Sequence, residues 1–225
     1  MRLGIKSLMT LVCLWAAVPA RAQLRDPQVR VAGTSLQVLF SSAGQTINVA
    51  QDQRAAQSFQ AVNVGIPEPL SFGVHNVRGP EWALAVYDFP AATPTLREVM
   101  PGGATPGWFS LVSFRTSPDR MVVSLFDALH SIQGSTSYLG LTSLLQGFAL
   151  DAGPAGTLYS DDTRNAGQQP HMLLYRGSGA FAGDAWLCVE LDGDQDFDDA
   201  VYRLEFFAST PTRRDSWSRL KQLYR

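Results

Sequence analysis

The run Glu190-Leu191-Asp192-Gly193-Asp194-Gln195-Asp196-Phe197-Asp198-Asp199 sets six carboxylates and no basic side chain within ten residues. Two carboxylates about 5 Å apart repel by roughly 3 kcal/mol at an effective dielectric near ~20, and by under ~1 kcal/mol in bulk water. A long loop spreads such charges into solvent. A short one pinned between strands either raises some of the pKa values or recruits a cation. Hard oxygen donors in number suit Ca²⁺, which accepts about six to eight of them in flexible geometry. Zinc favours His and Cys, and the run has neither. The candidate ligands are Glu190, Asp192, Asp194, Asp196, Asp198 and Asp199, with Asp162 and Asn165 of the turn Asp161-Asp162-Thr163-Arg164-Asn165 as completing donors. The alternative is a solvated acidic turn.

The spacing is not that of an EF-hand. With Asp192, Asp194 and Asp196 at its first, third and fifth positions, Phe197 falls where glycine is needed and Arg203 where the bidentate glutamate belongs. Paired carboxylates also hydrolyse glycosides, but six packed acids suit chelation better than a division into one acid and one base. The chain has no Gly-x-Ser-x-Gly elbow, His-Glu-x-x-His or glycine-rich phosphate loop, and His75, His130 and His171 are scattered. A non-catalytic protein is the expectation.

The elements that must position these acids read as strands. Ser71–Val74, Trp82–Tyr87, Trp108–Phe114 and Met121–Phe126 are short, apolar and rich in aromatic and β-branched residues, with Gly/Pro turn signals between them. His171–Tyr175, Ala185–Glu190 and Ala200–Phe207 follow. In the last, Tyr202, Leu204 and Phe206 alternate with Arg203 and Glu205, as in a sheet with one wet face, and the acidic run joins two adjacent strands. Thr34–Phe40 reads equally as a strand or as one or two helical turns. Asp215 or Ser216 caps a short helix that puts Trp217, Leu220 and Tyr224 on one face. The predicted fold is an all-β, antiparallel, jelly-roll-like β-sandwich over residues 23–212, with an amphipathic C-terminal helix in 213–225.

Residues 1–22 read as a signal peptide: Arg2 and Lys6, then an apolar stretch over Leu8–Val18, then Ala20-Arg21-Ala22 as the cleavage pattern. That stretch falls short of the roughly 20 residues a bilayer span needs, so the expectation is an exported protein, periplasmic or extracellular, with no transmembrane segment. Removing residues 1–22, which hold three basic and no acidic side chains, leaves 15 Lys+Arg against 20 Asp+Glu, a net charge of −5. That balance argues against a nucleic-acid partner. Cys188 alone survives cleavage, in an apolar strand, so it reads as a buried thiol and stability must come from the core, a metal or both.

Three stretches resemble the bacterial secreted family known as domain of unknown function 4114. Ser71-Phe72-Gly73-Val74-His75-Asn76 is similar to its early phenylalanine–glycine strand. Gln146-Gly147-Phe148-Ala149-Leu150, Thr157-Leu158-Tyr159-Ser160-Asp161-Asp162, Asn165 and His171 follow its middle pattern. Val189-Glu190 and Gly193-Asp194-Gln195-Asp196-Phe197-Asp198-Asp199 resemble its closing signature, with Asp198 for the usual asparagine and a shorter link from Glu190 to Gly193. The resemblance implies an exported β-sandwich with a calcium site, often part of surface or adhesin-like polypeptides. The function expected is therefore a calcium-stabilised structural or adhesion-like module contacting a glycan or a cell-surface or matrix component. A lectin using Trp82, Trp108 and Trp186 is an alternative, as is a hydrolase using the acidic cluster.

Overall fold

The computed structural model describes residues 24–61, 70–79, 81–116 and 119–207. The expected signal peptide and C-terminal helix lie outside them. Chain order is α1 (Ser35–Ser42), β1 (Phe59–Gln60), β2 (Ser71–Arg78), β3 (Ala83–Asp88), β4 (Arg97–Met100), β5 (Phe109–Thr116), β6 (Asp119–Phe126), β7 (Ile132–Leu139), β8 (Leu145–Asp151), β9 (Thr157–Tyr159), β10 (Met172–Arg176), β11 (Ala185–Val189) and β12 (Ala200–Phe206).

Two antiparallel sheets pack face to face, as the strand patterns predict. One has seven strands in the order β10-β11-β12-β2-β5-β6-β7; the other runs β1-β8-β3-β4, with β9 also on β8. The main core lies between them, with Phe72, Val74, Phe114 and Met121 from the large sheet meeting Leu84, Val86, Phe148 and Leu150 from the small one. Each such side chain, fully buried, contributes about 1.5–3 kcal/mol of transfer free energy. The alternation in β12 holds: Tyr202 and Leu204 are buried in this core, whereas Arg203 and Glu205 face outward, Arg203 pairing with Asp184 at 2.5 Å.

At its β10–β11–β12 end the large sheet is covered on its other face too, and this is where the ambiguous N-terminal segment goes. Leu36 and Phe40 lie one helical turn apart, so coiling turns both toward the sheet. They form a second core with Ile47, Val49, Leu173, Tyr175, Trp186, Cys188, Phe197 and Val201. Phe40 meets Tyr175 and Trp186 edge to face at 5.2 and 5.6 Å. A strand would have set Leu39 on the side away from Leu36 and Phe40; the helix packs Leu39 with them against the sheet and leaves Val38 58% exposed. Cys188 is buried there, and burial pushes its thiol pKa up.

Glycine matters at one close approach. Gly147 on β8 stands opposite Tyr87 on β3, and a Cβ there would meet the Tyr87 ring at 2.6 Å. Tyr87 is fully buried, packed against Tyr159 and beneath the Arg164 guanidinium. Gly147→Ala should therefore destabilise the protein by about 1–3 kcal/mol through overpacking. Thermal unfolding checks this, and an unchanged melting temperature would show that the ring has room to shift.

Candidate metal centre

The acidic run is the connection from β11 to β12, and its own hydrogen bonds coil it. Asp192 Oδ1 accepts from Asp194 N at 3.1 Å, Asp194 Oδ1 from Asp196 N at 3.0 Å, and Asp196 Oδ1 from Asp198 N at 3.1 Å. Each aspartate thus bends the chain two residues ahead, the habit that makes this residue type common in turns. The intervening Gly193, Gln195 and Phe197 all take left-handed conformations, with φ of 87°, 68° and 56°. Glu190, 3% exposed, sits inside the coil. Its Oε1 accepts from Gly193 N at 2.6 Å and its Oε2 from Phe197 N at 3.1 Å. Asp199 Oδ2 accepts from Leu191 N at 2.6 Å and draws the two ends together.

Two three-carboxylate groups result, sharing Glu190. One is Glu190, Asp192 and Asp194; the other is Glu190, Asp196 and Asp199. In each, one oxygen per residue lies within 4.8 Å of the others. Either grouping can hold a metal ion. The N-terminal segment braces the loop, with Ala32 N donating to Gln195 O at 2.7 Å and Ser35 Oγ to Asp196 Oδ2 at 3.2 Å.

Crowding leaves its mark on the charges. Burial pushes the Glu190, Asp196 and Asp199 carboxyls above their ordinary pKa values, neighbouring aspartates add to the rise, and backbone N–H groups only partly offset it. A raised carboxyl pKa means that the native state holds its proton more tightly than the unfolded chain. These three groups therefore subtract stability as pH climbs through their folded pKa values, unless a cation compensates.

The remaining predicted ligands are otherwise engaged. Asp198 turns to Arg78, whose Nη1 lies 2.5 Å from its Oδ2 and also donates to its carbonyl at 3.2 Å. Asp162 belongs to neither group, and its carboxylate pairs with Arg25 at 2.5 Å. Asn165 holds its own turn, accepting from Tyr159 N at 2.8 Å and donating to Tyr159 O and Gln169 O at 2.9 and 3.0 Å. From that segment it is His171 that touches the loop, through Nδ1 and the Glu190 carbonyl at 3.0 Å. Arg78, Ser35, Ala32 and His171 carry no signal in the sequence that ties them to the acids.

Trp186 lies in the second core, and Trp82 and Trp108 pack half-buried against the first. No protein-family model matches the chain, and neither a curated protein nor a solved structure is detectably similar to it. No helix among the described residues is long and apolar enough to cross a membrane.

Proposed function

We propose that this chain is an exported, non-catalytic β-sandwich module of the bacterial envelope or exterior, stabilised by calcium bound in the β11–β12 loop and serving a structural or adhesion-like role. The observation that carries this reading is the convergence of four aspartates, Asp192, Asp194, Asp196 and Asp199, on the buried Glu190. Ca²⁺–oxygen distances of about 2.3–2.6 Å put opposed ligands about 4.6–5.2 Å apart, whereas the ~2.0–2.1 Å of Mg²⁺ needs a tighter cage. Hard oxygen donors on a loop suit the variable shell of Ca²⁺ better than the strict octahedron of Mg²⁺. The likeness of Gly193–Asp199 to the closing signature of the 4114 family supports the same assignment, as does the export-type N-terminus.

Extracellular calcium sites bind at about 0.1–1 mM. At ~2 mM Ca²⁺ and a Kd of ~0.1 mM, the ion adds roughly 1.8 kcal/mol. For a domain of this size that raises the melting temperature by roughly 4–7 °C. Thermal unfolding with calcium and with a chelator measures the shift, and Glu190→Gln should remove most of it, because both groups lose their shared ligand. Identical melting temperatures with and without calcium would sink the proposal.

A further inference from the structure

The seven-stranded sheet ends in β7, whose outer edge pairs with no described strand. Edge strands in natural proteins are blunted by lysine, proline, inward charges or shortness. β7 is eight residues long, Ile-Gln-Gly-Ser-Thr-Ser-Tyr-Leu, with no charge and no proline. The three most exposed large apolar side chains among the described residues gather here: Leu129, Ile132 and Leu139, at 86%, 65% and 69%. A row of unpaired N–H and C=O groups flanked by apolar side chains suits an extended strand as its occupant.

The register indicates which strand. β6 pairs with β7 from Arg120↔Leu139 to Leu125↔Gly134, then shifts so that Phe126 faces Ile132. Leu139 lies on the outer face, one step from Tyr138 and its core-facing partner Met121. Ile132 lies on that face too, opposite Phe126, which stacks on Phe109 and through it on His75. Seven residues apart, the two would normally point to opposite faces; the extra residue at the bulge, Gln133, brings them to the same one.

A second β7 laid antiparallel about a twofold axis normal to the sheet, passing midway between the two copies of Thr136, then matches the first residue for residue. Ser135 faces the partner's Ser137, Gly134 faces the partner's Tyr138, and beyond the bulge Ile132 faces the partner's Leu139. Each pair shares a face. Gly134 has open space where a side chain would be, with nothing within 4 Å of an added Cβ, so a large ring opposite it is accommodated. Apolar ends meet apolar ends, and no like charges oppose one another. We propose that β7 is a homodimerisation edge, joining the seven-stranded sheets of two copies through antiparallel β7–β7 pairing centred on Thr136.

Sedimentation of the purified full chain over a range of concentrations tests this, with a reversible monomer–dimer equilibrium expected. Thr136→Lys sets two ammonium groups face to face on the axis and should weaken the dimer about tenfold or more. Thr136 is exposed, so the variant's melting temperature, measured at a concentration where both proteins are monomeric, should match that of the parent. Thr136→Glu should behave alike, and mixing the two variants should restore association, because lysine then faces glutamate. A chain that stays monomeric at every concentration overturns the proposal. So does a dimer indifferent to Thr136→Lys, or a mixture no more associated than either variant alone. A monomer that instead takes a foreign β-strand peptide at β7 overturns it as well, in favour of a different partner.

Discussion

Replacing Arg97 with methionine is expected to lower the free energy of unfolding by about 3–5 kcal/mol, because it strands a buried carboxylate. Asp88 at the end of β3 and Arg97 at the start of β4 are both 4% exposed and pair at 2.9 Å. Asp88 Oδ2 also accepts from Thr142 N and Oγ1 at 3.2 and 2.8 Å, and its Oδ1 from Gln146 Nε2 at 2.7 Å. Thr142 lies between β7 and β8, where the chain passes from one sheet to the other, so the network pins that crossing. Burial pushes the Asp88 carboxyl up, but the donors from Gln146, Thr142 and Arg97 together outweigh it and hold the pKa below the ordinary value. A depressed carboxyl pKa contributes stability that is complete above the unfolded pKa and lost as pH falls through the folded one. Without Arg97, burial is less opposed and the Asp88 pKa rises. The deficit of the variant relative to the parent should therefore shrink as pH falls through the raised pKa of the variant's Asp88, where the parent's carboxylate is still ionised. Urea unfolding of parent and variant at neutral pH and near pH ~4 measures both effects. A deficit below about 1 kcal/mol at neutral pH, or one that grows in acid, contradicts the account.

Phe197→Ala should cost about 3–5 kcal/mol and blunt the response to calcium as well. Phe197 is 1% exposed and packs in the second core with Leu36, Phe40, Trp186 and Val201. Its φ of 56° is a conformation that costs a side-chain-bearing residue about 1–2 kcal/mol. Burial of the ring offsets that cost, and the loop is thereby held where Phe197 N can donate to Glu190 Oε2. With the ring gone, the strain stands unopposed, the coil relaxes and Glu190 loses a donor that orients it. Phe197→Gly relieves the strain but restores no packing, and its added chain entropy offsets much of the gain, so it should fall close to the alanine variant. Chemical unfolding gives the stability change, and calorimetric titration with calcium gives the affinity. Calcium binding at parental strength in a destabilised Phe197→Ala protein would show that the carboxylates organise themselves without the anchor.

Much of the fold is legible in the chain because burial imposes local periodicity. β2, β3, β5, β6, β10, β11 and β12 all lie where short apolar or alternating runs predict them. β7 does not announce itself. It carries serine, threonine and glycine on an exposed edge, where no buried face imposes a pattern. α1 is ambiguous for a different reason: eight residues with apolar groups at helical spacing fit either conformation until the sheet face beneath them is known.

The candidate centre divides in the same way. Charge density alone marks the acidic run, since six acids in a short strand connection must share protons or a cation wherever the rest of the chain goes. Which acids converge is a matter of tertiary structure. Asp198 is drawn away by Arg78, 120 residues earlier, and Asp162 by Arg25, 137 residues earlier. The Asp88–Arg97 pair is likewise unmarked in the sequence, because its burial depends on Thr142 and Gln146 arriving from another part of the chain. Composition and spacing report on the free energies of neighbouring residues. Long-range pairing follows from the path of the backbone, which the two cores together determine.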